Sequence, residues 1–126
     1  MDAGKETRNM ATLDVLTYGF ALTTDQGSFG YSTNSLLRVN NHNILIDTGP
    51  SSRRPFLVKA LKTKGLEVND IDIVILTHMH WDHCQNTDLF TNARVLVNPT
   101  EIDYARNPNK WDLAVAAGMA EMMGKM

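Results

Sequence analysis

The sequence predicts an α/β fold built on a mixed sheet with helices on one face. Three features of the pattern indicate it: alternating extended segments near the amino terminus, a strand–helix–strand unit across residues 44–77, and an uninterrupted apolar run at residues 73–76. The chain has 126 residues, of which 43% are hydrophobic and 21% charged. This composition is typical of a globular domain and excludes collagen-like and disordered chains.

The first part of the chain predicts a meander of strands. Leu13–Phe20 and Tyr31–Asn40 have an extended, alternating pattern, and turn-forming residues at 23–28 separate them. Residues 40–43, Asn-Asn-His-Asn, tolerate positive φ and predict a tight hairpin into a third strand at 44–46.

A helix and a parallel strand are expected next. Pro55 suits the first turn of a helix predicted over residues 54–64, and Gly65 suits its left-handed stop. The following strand, at 73–76, is apolar throughout, as expected for a strand covered on both faces. A crossover of about 25 residues is long enough to make the strands at 44–46 and 73–76 parallel. Both strands then end at one edge of the sheet, where open α/β sheets bind ligands.

The remaining chain predicts a strand at 94–97, a helix at 99–106 and a last helix at 111–126. We expect residues 1–10 to be a flexible N-terminus and residues 11–126 to form one partial domain.

Composition also limits the partners. The formal net charge is −2 and the 12 Lys and Arg are scattered along the chain, so nucleic acid is a poor candidate. No stretch approaches the ~18 consecutive apolar residues of a membrane span. The single cysteine, Cys84, cannot form an intramolecular disulfide, and the polar N-terminal residues lack the apolar core of a signal peptide. We therefore expect a cytoplasmic protein, without a membrane partner, that acts on a small-molecule substrate.

The histidines give the clearest functional signal. Three of the four lie in the sequence His78-Met-His80-Trp-Asp82-His83, directly after the apolar strand. In an extended chain, residues two apart point the same way, so His78 and His80 can face one metal ion. Asp82 and His83 follow where the chain must turn, and they can face a second ion. Imidazole and carboxylate suit zinc, with iron or manganese as other candidates, and a two-metal site of this kind activates water for hydrolysis.

Three further residues have less distinctive patterns. Asp47 lies at the same sheet edge and is either a carboxylate that orients the imidazoles or an ordinary turn cap. Cys84 directly follows the motif, and we interpret it as a packing residue rather than a ligand. His42 lies at the other end of the strand that leads to Asp47, about 16 Å from Asp47, and it is expected to be a surface turn residue.

These residues resemble a known family. The run from Ile73 to His83, preceded by Ile44-Leu-Ile-Asp-Thr-Gly49, resembles the metallo-β-lactamase superfamily, and the residues after it look most like the N-acyl-homoserine lactonase branch. The resemblance implies an αβ/βα sandwich with two zinc ions in a complete site. It implies that His78 and His80 bind the first metal and that Asp82 and His83 bind the second. It also implies that Asp82 handles the proton delivered to the leaving group.

The chain departs from this family after the motif. The family supplies further ligands, a histidine, an aspartate and a last histidine, well downstream, whereas no histidine follows His83 here. We therefore interpret the chain as the N-terminal half of the fold with an incomplete ligand set. Its predicted last helix has an apolar face that packs on the sheet, or binds a complementing C-terminal half or a second copy, through residues Val115, Met119, Met122 and Met126.

The leading hypothesis is a zinc-dependent hydrolase of a small ester, lactone or amide, with this chain alone binding metal loosely. One alternative is a truncated or associating fragment without catalytic activity. A weaker alternative starts from Asp47-Thr48-Gly49, which resembles the signature of retroviral-type aspartic proteases; that fold would be nearly all strand.

Overall fold

A five-stranded mixed sheet forms the centre of the computed structural model, which describes residues 10–115. The strands are β1 (Thr12–Thr17), β2 (Phe20–Thr24), β3 (Gly27–Tyr31), β4 (Asn34–Val39), β5 (His42–Ile46), β6 (Ile73–Ile75) and β7 (Arg94–Leu96). The helices are α1 (Arg54–Thr63), α2 (Trp81–Cys84) and α3 (Pro99–Arg106), with short 3-10 turns at Ser51–Arg53, Val68–Asp70 and Thr87–Leu89. The order across the sheet is β1-β4-β5-β6-β7, and β2 pairs with β3 separately. The predicted α/β class is confirmed.

The parallel part of the sheet carries the elements that matter for function. β5, β6 and β7 are parallel, with Leu45 opposite Val74 and Val74 opposite Val95. The crossover between β5 and β6 contains α1, which ends one residue earlier than the sequence predicts. Gly65 follows it at φ +76°, and the Leu66 amide donates to the Leu61 carbonyl at 3.0 Å. This closing bond is typical of a glycine-terminated helix.

The hairpin formed by β2 and β3 was not predicted, and the expected turn at 23–28 is too long. Only Asp25 and Gln26 make the turn, because Thr24 pairs with Gly27 and Leu22 with Phe29. Threonine favours strands, and a two-residue connection is sufficient for a hairpin. The second predicted turn is confirmed: Asn40 and Asn41 have φ values of 50° and 65°. His42 is the first residue of β5 rather than a turn residue, and it is exposed.

The predicted last helix is wrong over residues 111–115, which form turns and an isolated bridge between Val115 and His80. Polar side chains bind the backbone there and compete with helix formation. The Asn109 side chain accepts from the Trp111 amide at 3.0 Å, and the Asp112 side chain accepts from the Ala114 amide at 3.3 Å. The methionines of the expected apolar face, and most of the expected flexible N-terminus, lie outside the described residues.

One face of the sheet forms the core with α1. Leu36, Leu45 and Val74 point to this face and are fully buried, together with Leu57 and Leu61 of the helix. This arrangement is the predicted helix-covered face. No helix within residues 10–115 is long and apolar enough to cross a membrane.

The other face of the sheet is apolar but open in the part of the chain that the structure describes. Residues paired across the strands share a face, and the apolar ones here are Leu13, Val15, Leu37, Ile44, Ile46, Ile73, Ile75 and Leu96. The side chains at the edges of this face are exposed, Leu13 at 64%, Leu96 at 43% and Val15 at 38%, whereas Ile44 in the central strand is buried. β6 was expected to be covered on both faces, whereas Ile73 and Ile75 are only half-buried. We call these eight residues the open face.

Candidate metal centre

The predicted site lies at the edge where β5 and β6 end. The Asp47 amide donates to the Ile75 carbonyl at 2.8 Å, and the Thr48 amide donates to the His83 carbonyl at 2.8 Å. Parallel pairing of the two strands therefore places the Asp-Thr-Gly loop directly against the histidine motif, as the topology predicted.

Asp47 has a buried carboxylate that binds both ends of the motif. Its Oδ1 accepts from the Thr77 amide at 2.8 Å. Its Oδ2 accepts from the Thr77 hydroxyl and from His83 Nδ1, both at 2.8 Å. The residue is 4% exposed and has a φ of +59°, a strained value for a non-glycine residue. Of the two interpretations of Asp47, this geometry favours the carboxylate that orients an imidazole.

The motif side chains converge. The ring of His78 lies between those of His80 and His83, with centroid separations of 4.8 and 4.0 Å. Asp82 Oδ2 lies 3.6 Å from His83 Nε2. Within residues 10–115, no three ligating groups already surround one point closely enough to hold an ion. The four side chains therefore lie close together but do not enclose a single point.

Hydrogen bonds decide which ring nitrogen of each histidine is available. A carboxylate only accepts, so a neutral His83 must carry its proton on Nδ1, and its Nε2 then keeps the lone pair. Thr77 donates its hydroxyl proton to Asp47, so it accepts from His78 Nδ1 at 3.0 Å. His78 Nε2 is therefore available as well. This donor set of imidazole nitrogens beside a carboxylate fits zinc.

Burial and neighbouring charges lower the pKa of one ring in the cluster and raise the pKa of another. Burial, together with the neighbouring His83 and His80 charges, lowers the pKa of His78. Burial also acts to lower the pKa of His83, but the hydrogen bond and charge of Asp47, with the charge of Asp82, outweigh it and raise that pKa. His78 is therefore held in the neutral form that binds metal.

Two residues that sequence reasoning missed support the loops of the site. Asn86 is fully buried, and its Nδ2 donates to the carbonyls of Thr48 and Pro50, both at 2.8 Å. Thr77 connects Asp47 to His78. The position of Thr77 at the end of an apolar strand was a usable signal, whereas Asn86 lies in a polar run that gave none.

A third missed residue is Asp112, far from the motif in sequence. His80 Nε2 lies 3.2 Å from Asp112 Oδ2, which also accepts from the Tyr104 hydroxyl at 2.9 Å. The hydrogen bonds from Tyr104 and His80 lower the pKa of Asp112, so it is a carboxylate at neutral pH.

Cys84 packs beneath the site and is fully buried. Burial, followed by the carboxylates of Asp47 and Asp82, raises its pKa to about 12. We expect the thiol not to react with Ellman's reagent at pH 8 in the folded protein and to react stoichiometrically in concentrated urea, because only the thiolate is the nucleophile. Rapid labelling of the folded chain would contradict this burial.

Comparisons with known proteins give a consistent family match. A family model for the metallo-beta-lactamase superfamily matches residues 27–122. A probable metallo-hydrolase of Methanocaldococcus jannaschii is 38% identical over 64 residues, which cover 51% of this chain and 32% of that protein. Among solved structures, a Thermotoga maritima protein described as a metallo-beta-lactamase is similar, with a TM-score of 0.64 and 30% identity. The match covers 71% of this chain and 44% of that one.

A second similar solved structure is that of a lactonase. The dizinc quorum-quenching lactonase AidC, in complex with a product, has a TM-score of 0.54 and 29% identity, with 66% of this chain and 32% of that chain covered. The chain thus spans less than half the length of each of these relatives.

Proposed function

This chain belongs to the metallo-β-lactamase superfamily of metallo-hydrolases, and on that premise we propose that it is part of a zinc-dependent hydrolase of a small ester, lactone or amide. The observation that carries the proposal is the cluster of His78, His80, Asp82 and His83 beside the buried Asp47. Within residues 10–115, neither His78 Nε2 nor His83 Nε2 has a hydrogen-bond partner, and His83 Nε2 lies 3.6 Å from the Asp82 carboxylate.

We assign His78 and His80 to one zinc ion and Asp82 and His83 to a second. Bound zinc would supply a Lewis acid that polarises a carbonyl oxygen and lowers the pKa of water towards ~7. The protein's own part is to hold the rings: Asp47 fixes His83 through Nδ1. Asp82, whose side chain is 25% exposed, is the group we assign to proton delivery to the leaving group.

A lactone has the most support among the substrates. AidC is a lactonase, and an N-acyl homoserine lactonase of Bacillus thuringiensis is 37% identical over 49 residues. These residues cover 39% of this chain and 20% of that protein. Hydrolysis of an ester or amide bond uses the same site chemistry, so both remain within the proposed class.

The aspartic protease alternative is wrong. The chain has the α/β fold of the metallo-β-lactamase superfamily rather than a nearly all-strand fold. Both oxygens of Asp47 accept hydrogen bonds from Thr77 or His83, so this carboxylate binds the motif.

Zinc titration tests the metal site. We expect the 126-residue chain to bind zinc weakly, because its ligands are incomplete, and to hydrolyse an activated lactone poorly. The double variant His78→Ala/His80→Ala should weaken zinc binding at least ~10-fold, as measured by competition with a chromophoric chelator. His42→Ala is the matched control, because His42 lies at the opposite end of β5, and it should bind zinc like the unsubstituted chain.

Two outcomes would contradict the proposal. Equal losses of zinc affinity in the double variant and in His42→Ala would mean that the motif is not the metal site. Tight stoichiometric zinc, retained through dialysis together with rapid lactone turnover, would show that the ligand set is complete.

The open face supports the interpretation of the chain as one half of a fold. It spans all five strands of the sheet, and large side chains at both of its edges are exposed. The relatives are more than twice as long as the matched region. We propose that this face packs against the remaining polypeptide of the fold.

Self-association tests this proposed packing surface. We expect the 126-residue chain to dimerise or aggregate through the open face, and Leu96→Lys should shift sedimentation towards monomer, because a buried ammonium is costly. Leu22→Lys on the hairpin is the matched control, since the two leucines are 43% and 48% exposed. A monomeric unsubstituted chain, or an equal effect of both substitutions, would argue against the open face.

A further inference from the structure

Residues 107–115 return to the histidine motif and lie along it. The Trp81 amide donates to the Ala114 carbonyl at 2.8 Å, and Val115 forms an antiparallel bridge with His80. We call residues 107–115 the return segment. Its backbone is hydrogen-bonded to the motif immediately beside His80, and this places Asp112 next to that ring.

Asp112 is the residue of the return segment that contacts the ring. Its Oδ2 lies 3.2 Å from His80 Nε2 and accepts from the Tyr104 hydroxyl at 2.9 Å, while its Oδ1 accepts from the Ala114 amide at 3.3 Å. The side chain is 22% exposed. Contacts on both oxygens hold this carboxylate in one orientation without help from a metal.

The contact determines which nitrogen of a neutral His80 ring carries the proton. A carboxylate can only accept, so a neutral His80 must carry its proton on Nε2, and its lone pair is then on Nδ1. His83 has the opposite arrangement, because Asp47 engages its Nδ1. The two carboxylates therefore select different ring nitrogens in two nearby histidines.

We propose that Asp112, held by Tyr104, is a positioning residue that orients His80 so that Nδ1 faces the metal. The inference rests on the proposed metal site. It adds a residue 32 positions away from the motif histidine that it positions. Partners of this kind orient ligating histidines and typically change metal affinity by about 10–100-fold.

The test uses the full 126-residue chain and two readouts. Long-range ¹H–¹⁵N spectra of the metal-free protein report which His80 nitrogen carries the proton, and chelator competition reports zinc affinity. For Asp112→Ala we expect a mixture of the two neutral His80 forms and roughly tenfold weaker zinc binding. Asp112→Asn should weaken zinc binding less, because its amide oxygen can still accept from His80 Nε2. Asp103→Asn, on the exposed part of α3, is the control and should change neither readout.

Tyr104→Phe is the second variant, and it removes only an exposed hydroxyl. We expect it to weaken zinc binding by roughly two- to threefold and to shift the His80 proton partly to Nδ1. Unchanged proton position and unchanged affinity in Asp112→Ala would overturn the inference while leaving the metal site intact. If the unsubstituted chain binds no zinc, the proposed function fails, and the spectra of the metal-free protein still decide whether Asp112 sets the His80 form.

Discussion

Replacing Asp47 by alanine is expected to destabilise the fold by about 3 kcal/mol. The substitution removes the buried acceptor of three hydrogen bonds and leaves the Thr77 amide and the half-buried His83 Nδ1 without this partner. Alanine also tolerates the φ of +59° less well than aspartate does. Urea denaturation measures the free energy of unfolding, and the same samples should bind zinc more weakly, because His83 loses its orienting contact.

Two further variants serve as comparisons for Asp47→Ala. Asp47→Asn keeps an acceptor for the Thr77 amide and tolerates positive φ, so we expect a loss of about half that of alanine. Asp103→Ala, at an exposed position on α3, should change stability by less than about 0.5 kcal/mol. Equal stabilities for Asp47→Ala and Asp103→Ala would mean that the Asp47 hydrogen bonds do not stabilise the fold.

Replacing Phe90 by alanine is expected to cost about 4 kcal/mol. Phe90 is fully buried in the core cluster, so truncation leaves a cavity lined by apolar side chains that can collapse only partly. A domain is stable by only about 5–15 kcal/mol, so this variant should unfold at much lower urea concentrations.

The control for this prediction is Phe29→Ala on the hairpin. Phe29 is 58% exposed, and its truncation should cost less than about 1 kcal/mol. Phe90→Leu, which retains most of the volume, should fall between the two alanine variants and should stay folded. Equal losses for the two phenylalanine-to-alanine variants would place Phe90 outside the core.

The sequence predicted those elements whose ends carry local signals. Helix α3 begins and ends where predicted, because the Asn98 side chain accepts from the Thr100 amide at 2.9 Å and Pro99 opens the helix. Helix α1 follows the same logic with Pro55 and Gly65. The hairpin was missed because turn propensity and strand propensity compete in Thr23 and Thr24, and pairing with β3 decides the outcome.

The candidate site was likewise predicted only in part. Parallel pairing of β5 and β6 follows from the crossover length, and it was enough to place Asp47 beside the motif. The roles of Thr77 and Asp112 depend on side-chain contacts between residues 30 and 32 positions apart, respectively. No periodicity or spacing in the sequence encodes such contacts. The turns at 111–115 that bring Asp112 to His80 also replaced a predicted helix.

The β2–β3 hairpin has a consequence for how this protein can change over evolution. All five side chains of β2 are exposed, and in the neighbouring β3 the Tyr31 ring lies 4.2 Å from the Arg53 guanidinium. Substitutions in β2 therefore cost little core packing, in contrast to substitutions in β5 or β6. Strand β3 lies against α2, the helix that carries Asp82 and His83, so substitutions in the hairpin can change the surroundings of the site without loss of the fold.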